Sequence, residues 1–209
     1  MAVNLPRVYA ITDYRLTGLS HAEQVRRLAA GGIRLIQLRE KAASPRAFYE
    51  QAREAVAVAR ELGVRLLIND RVDIALAVGA DGVHLGQEDL PPEKARALLG
   101  PDRLIGFSTH SLEQALVADA SPVDYLAIGP IFPTRTKENP DPVVGVEMVR
   151  AVRARIRKPL VAIGGITLET APRVIAAGAD AVAVIADLLS APDITARARQ
   201  YVETLAALP

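Results

Sequence analysis

Short apolar runs rich in Val, Ile and Leu alternate along the chain with longer segments in which Ala, Arg and Glu recur at helical spacing. The runs predict strands over 8–12, 35–39, 65–68, 82–85, 104–108, 125–129, 160–163 and 181–185. The segments between them predict helices over 20–30, 45–62, 72–78, 92–99, 112–118, 146–156, 168–177 and 194–206. Strand and helix alternating throughout is the pattern of repeated βα units around a parallel sheet. Glycines stand where helix C-caps are expected, at Gly31-Gly32, Gly63, Gly79, Gly100 and Gly178. The near-repeated phrases AVGADGVHL at 77–85 and AAGADAVAV at 176–184 mark equivalent helix-to-strand turns. Eight strands and eight helices fit a (β/α)8 TIM barrel, a fold that usually takes about 250 residues. A doubly wound open sheet is the alternative. No linker or low-complexity stretch divides the chain, so residues 1–209 are expected to form a single α/β barrel domain.

Charge and composition narrow the function. With 25 basic and 24 acidic side chains the formal charge is +1, and no Lys/Arg-rich run is present. That argues against a nucleic-acid or anionic-membrane surface. The chain has no cysteine, which removes disulfides, thiol nucleophiles and cysteine-bound zinc. No apolar run approaches the ~20 residues that span a bilayer. The N-terminus carries no signal-peptide pattern, so a cytoplasmic protein with small-molecule partners is expected. Oligomeric state is not legible.

In a barrel, chemistry belongs on the loops that follow the strands. After the third and fourth predicted strands come Asn69-Asp70 and Gln87-Glu88-Asp89. Parallel strands joined by a helix point the same way, so Asp70 and Asp89 are expected at one rim. Two such acids suit a hard divalent cation such as Mg²⁺, which typically takes one or two carboxylates and fills its shell with water and phosphate. Capping of the following helices is the simpler reading of this stretch taken alone, the more so for Asp89 before Pro91-Pro92. After the second strand, alternation puts Gln37, Arg39 and Lys41 on one side. Inward cations need anions, either protein carboxylates or an anionic ligand.

Ser108-Thr109-His110-Ser111 follow the fifth strand. Ser108 can contact a ligand and His110 can act as acid or base, but an N-cap for Ser111 and a solvated turn for His110 are the plainer readings. His84 reads as a hydrogen-bonded interior histidine and His21 as a surface one. The long loop from Gly129 to Val144, with Thr134, Arg135, Thr136 and Lys137, can wrap a ligand or be a surface excursion. Gly164-Gly165 and Ile185-Ala186 end the last two strands, where barrels commonly cradle phosphate on backbone N–H groups. Carboxylates after two strands, cations after two others and a neutral cradle after the last two suit two phosphorylated ligands.

Together, Gln37-Leu38-Arg39-Glu40-Lys41, Asn69-Asp70, Gly86-Gln87-Glu88-Asp89, Gly129-Pro130 with Thr134-x-Thr136-Lys137, and Ile163-Gly164-Gly165-Ile166 closely resemble the thiamine-phosphate synthase family, in order and over nearly the whole chain. The resemblance implies a transferase joining 4-amino-5-hydroxymethyl-2-methylpyrimidine diphosphate to 4-methyl-5-(2-phosphooxyethyl)thiazole, or its carboxylated form, with release of pyrophosphate. By that similarity Gln37, Leu38, Arg39, Glu40, Lys41, Asn69, Ser108 and Lys137 bind the pyrimidine diphosphate. Thr134, Arg135, Thr136, Gly165, Ile185 and Ala186 bind the thiazole phosphate, and Asp70 and Asp89 hold Mg²⁺. Arg39, Lys41 and Lys137 carry the catalytic charge. The family usually has serine where Ala186 stands, and Asp187 beside it would repel a phosphate if it pointed inward. Two alternatives remain. One is a metal-free thiazole tautomerase of the same superfamily, whose catalytic histidine His110 resembles. The other is a non-catalytic phosphate-ligand binder on this scaffold.

Overall fold

The computed structural model describes residues 5–134, 136 and 141–208. Its strands are β1 (Val8–Thr12), β2 (Leu35–Leu38), β3 (Arg65–Asn69), β4 (Gly82–Leu85), β5 (Leu104–Thr109), β6 (Tyr125–Ile128), β7 (Leu160–Ile163) and β8 (Ala181–Val184). Between and after them lie α1 (Tyr14–Thr17), α2 (His21–Ala30), α3 (Pro45–Glu61), α4 (Val72–Val78), α5 (Pro92–Leu99), α6 (Leu112–Ala120), α7 (Gly145–Arg153), α8 (Ala171–Ala176), α9 (Ala186–Leu189) and α10 (Ile194–Ala206). Each strand pairs in parallel with the next, and β8 pairs with β1, closing an eight-stranded barrel in chain order. The TIM-barrel expectation therefore holds and the open sheet does not.

The strands are buried on both faces, which is why they read as continuous apolar runs rather than as alternating ones. Their outward residues, with the apolar stripes of the helices, form one large core between sheet and helices. Inward, Tyr9, Ile11, Leu35, Leu67, Tyr125, Ala127, Val161, Ala181 and Ala183 form a separate core inside the barrel. Its two tyrosines meet edge to face, ring centroids 6.0 Å apart. Alanines on β6 and β8 leave room for those rings, and Gly106 on β5 leaves more. A Cβ on Gly106 would lie 2.1 Å from Tyr125 Cζ and 2.5 Å from His84 Nδ1.

At the opposite end from the loops that follow the strands, one device recurs three times. Asp81, Asp124 and Asp180 each accept a 2.7 Å hydrogen bond from a backbone N–H at the start of the preceding strand, at Leu66, Ile105 and Leu160 respectively. Arg96 and Arg153 reach back to Asp124 and Asp180 at 2.6 and 3.0 Å. These contacts tie neighbouring strands together at the bottom of the barrel and leave the top for chemistry.

Several element limits differ from expectation. The single-turn helices α1 and α9 have no periodicity to announce them. The helix expected over 168–177 is α8, which starts only at Ala171 with Pro172 in its first turn. His21 is not on the surface: it is 2 % exposed, held between Thr12 Oγ1 at 2.8 Å and Glu40 Oε2 at 3.4 Å. Among the described residues no helix is long and apolar enough to cross a membrane.

Candidate functional site

The strand-end carboxylates meet at the top of β3 and β4, and neither serves as the cap its sequence context allows. Helix α4 starts at an N-cap, Arg71, that makes no side-chain capping bond, and α5 likewise starts uncapped at Pro91. Asp70 instead sits at φ 62°, the one non-glycine residue with positive φ among those described. Such backbone costs energy for most residues, and asparagine and aspartate bear it best. The turn aims the Asp70 carboxylate at Lys41, whose Nζ donates to Oδ2 at 2.5 Å. Asp89 folds back on its own loop and accepts from the Gly86 N–H at 2.6 Å. Its pKa is raised, first by burial and further by the Asp70 carboxyl beside it, against the lowering effect of the Gly86 N–H and Lys41. Two acids in contact, one with its pKa raised by burial and by the other, form a seat that a cation relieves.

The top of β2 supplies the cations. Arg39 donates to Asp13 at 3.0 Å, and Asp13, just past β1, also caps α1 through the Arg15 N–H. Asp13 is taken by Arg39, whereas two carboxylates, Asp70 and Asp89, share Lys41. A divalent ion beside phosphate oxygens fits that imbalance. Asn69 adds a second sign of a ligand: its Nδ2 is buried with no hydrogen-bond partner, and such a donor is costly to leave unmet. Glu40 does a different job. Burial opposes its ionisation, but the Ala42 and Ala43 N–H groups and His21 outweigh that and hold its pKa low. The side chain thus braces the loop that carries Lys41. Leu38 packs into the outer core, so a ligand contact there falls to its backbone. Among the described residues no three His, Asp or Glu side chains group as a metal cage. Mg²⁺ needs no such cage, whereas a zinc site would.

Below this corner a polar chain crosses the barrel interior. Gln37 Nε2 donates to the Tyr9 hydroxyl at 2.6 Å, and Tyr125 donates to the same oxygen at 3.0 Å. Tyr125 also meets His84 Nδ1 at 2.9 Å, and His84 Nε2 meets Ser108 Oγ at 2.8 Å. Burial lowers the His84 pKa to about 4 and raises both tyrosines. The expectation of an interior, hydrogen-bonded His84 holds. Tyr9, Asp13 and Tyr125 were not singled out by the sequence. The signal available for the tyrosines was their period-2 register with Gln37 and His84.

On the far side, the loop after β6 lies along β7: Ile131 and Phe132 N–H groups bond to Ile163 and Gly164 carbonyls at 2.9 Å each. A Cβ at Gly165 would meet Pro133 O at 2.4 Å, and one at Gly164 would meet Pro130 Cα at 2.5 Å. The close approach these glycines allow is therefore chain to chain, which fixes the loop carrying Thr134 and Thr136. Those two hydroxyls are 3.2 Å apart. Arg135 and Lys137 lie outside the described residues. His110 is not a free turn residue: it meets the Gly129 carbonyl through Nδ1 at 2.7 Å, while Ser111 caps α6 as expected. Ile185 is the N-cap of α9 and Ala186 its first residue. Asp187 is held by two donors. Its Oδ2 accepts from Tyr201 at 2.7 Å and from the Leu168 N–H at 3.2 Å.

Both buried histidines have a consequence for stability. Burial lowers His21 and His84 below the ordinary 6.5, so the unfolded chain takes up protons that the fold refuses. Their contribution is whole above pH 6.5 and is lost as pH falls from 6.5 towards about 4 for His84. For His84 that loss amounts to about 3 kcal/mol. Urea midpoints should therefore begin to drop below about pH 6.5, before the carboxylates titrate. A flat midpoint from neutrality down to the carboxylate range would contradict the buried, neutral rings.

A family model described as thiamine monophosphate synthase matches residues 8–188. A thiamine-phosphate synthase of Koribacter versatilis is 51% identical over 210 residues, covering 97% of this chain and 97% of that protein. One from Azorhizobium caulinodans is 48% identical, covering 92% and 91%. The solved structure of thiamine phosphate pyrophosphorylase from Pyrococcus furiosus superposes with a TM-score of 0.88 at 38% identity, covering 97% of this chain and 96% of that one.

Proposed function

Because the chain belongs to the thiamine-phosphate synthase family and is a transferase of the pyrimidinylmethyl group, we propose that it joins 4-amino-5-hydroxymethyl-2-methylpyrimidine diphosphate to 4-methyl-5-(2-phosphooxyethyl)thiazole, or its carboxylated form. We propose further that it does so with Mg²⁺ and by a dissociative displacement. The observation that carries the metal reading is the Asp70–Asp89 pair: two carboxylates at one rim, neither spent on a helix cap. Asp70 and Asp89 would hold the ion, which when bound supplies neutralisation of charge on the departing diphosphate.

The protein's own groups do the rest. Arg39, held by Asp13, and Lys41, held by Asp70, stand where diphosphate oxygens gain charge as the C–O bond breaks. Lys137 is proposed to join them. Asn69 Nδ2 offers a donor that the fold leaves for an acceptor on the ligand. Gln37 and Ser108 flank the pyrimidine, whose exocyclic amine spreads positive charge onto the departing methylene. The thiazole phosphate is proposed to rest on Thr134, Arg135, Thr136 and the backbone at Gly165, Ile185 and Ala186. The Asp187 carboxylate is engaged by Tyr201 and the Leu168 N–H and so does not compete for the backbone N–H groups of that anchor. Anchored there, the thiazole nitrogen meets the cation by position alone, so no general base is needed.

With both substrates present, pyrophosphate release is expected only when Mg²⁺ is added, and chelation should stop it. Isomerisation of the thiazole precursor without metal would replace this reading with the tautomerase one, and binding without either reaction would replace it with a non-catalytic one.

A further inference from the structure

The chain of hydrogen bonds inside the barrel has a direction, and the direction decides what Ser108 shows to a substrate. Its members come from five strands: Tyr9 on β1, Gln37 on β2, His84 on β4, Ser108 on β5 and Tyr125 on β6. A phenol has a single proton to give, and Tyr125 gives it to Tyr9. The hydrogen between Tyr125 and His84 Nδ1 must then come from the imidazole. A neutral imidazole carries one N–H, so His84 Nε2 is bare and must accept from the Ser108 hydroxyl. The Ser108 proton is used up inward, and only lone pairs remain on the outward side of Oγ.

We propose that His84 is a positioning residue: its proton sits on Nδ1, its Nε2 takes the Ser108 proton, and Ser108 Oγ therefore meets the substrate as an acceptor for an N–H group of the pyrimidine, not as a donor to a phosphate oxygen. Tyr125 sets this state from two hydrogen bonds away, and Gly106 makes the Tyr125–His84 contact possible by leaving out a side chain. An acceptor facing the ring's N–H groups favours positive charge there, the charge that grows as diphosphate departs. The assignment to the pyrimidine rests on the function proposed above; the position of the imidazole proton does not.

Two measurements test the two halves separately. Long-range ¹H–¹⁵N correlation on the substrate-free, ¹⁵N-labelled protein at neutral pH should show the His84 proton on Nδ1 and a bare Nε2. The chain has three histidines, so single substitutions at His21 and His110 complete the assignment. A proton on Nε2 would reverse the chain and overturn the proposal. In turnover, Tyr125→Phe, which keeps the ring, should cost about tenfold in kcat when Ser108 is present. In a Ser108→Ala background it should cost no more than about twofold. Equal losses in both backgrounds would make Tyr125 merely structural and overturn the role. Inhibition by inorganic pyrophosphate should change by no more than about twofold in Ser108→Ala. Inhibition weakened about tenfold would place Ser108 on the phosphate side instead. If the protein showed no pyrophosphate-releasing turnover at all, the function would fail while the proton's position remained measured.

Discussion

Replacing Asp70 with asparagine is expected to lower turnover about 10²- to 10³-fold, the loss that follows removal of one preorganised electrostatic group. The fold should survive. Asparagine is among the side-chain-bearing residues that best tolerate the positive φ of 62° at this position, and no helix depends on the side chain as a cap. What changes is charge. Two carboxylates sharing Lys41 become one, and Asp89 loses the neighbour that helps keep its pKa high. The seat then has one formal anion for the cation and no excess negative charge to draw it in. Pyrophosphate release at saturating substrates, read beside thermal unfolding, checks this. A variant with wild-type turnover would show that Asp70 serves only to hold Lys41.

Adding one methyl group at Gly106 is expected to cost about 1–3 kcal/mol of stability, the usual price of overpacking a filled core. The Cβ of alanine would lie 2.1 Å from Tyr125 Cζ, 2.2 Å from its hydroxyl and 2.5 Å from His84 Nδ1, so both rings must shift. For a protein of this length each kcal/mol lowers the melting temperature by about 2–4 °C. Turnover should fall in the surviving fold, because the ring shift breaks the link that orders Ser108. A Gly106→Ala protein that melts and turns over like the parent would mean the barrel interior yields more easily than its packing implies.

The barrel was legible because its strands and longer helices each carry a recognisable apolar pattern. Doubly buried strands read as short apolar runs and the helices as amphipathic segments. The near-repeats at 77–85 and 176–184 were real structural repeats: Asp81 and Asp180 each tie their turn to the preceding strand. The third instance, Asp124, escaped notice because its turn reads SPVDYLAI and lacks the glycine-alanine phrase, although its bond is the same. Helices α1 and α9 were invisible because a single turn has no period. His21 looked exposed as the first residue of a polar helix start, and only the fold brings Thr12 and Glu40 to it.

At the site, rim chemistry was easier to read than interior chemistry. Asp70 and Asp89 stand out as strand-end acids, but sequence alone could not separate capping from metal binding. The dihedral angle of Asp70 and the missing side-chain caps remove the capping reading. Tyr9 and Tyr125 are ordinary strand residues until the barrel closes and sets them around Gln37 and His84. Their pairing spans 116 positions of sequence, beyond any local pattern.

The central claim is that Asp70 and Asp89 share one divalent ion beside a diphosphate. Anomalous scattering from a crystal grown with Mn²⁺ in place of Mg²⁺, together with inorganic pyrophosphate, locates such an ion directly. The expected result is a single peak bound by both carboxylates, with pyrophosphate on Arg39 and Lys41. An ion bound elsewhere, or pyrophosphate seated there with no ion between the two aspartates, would contradict it.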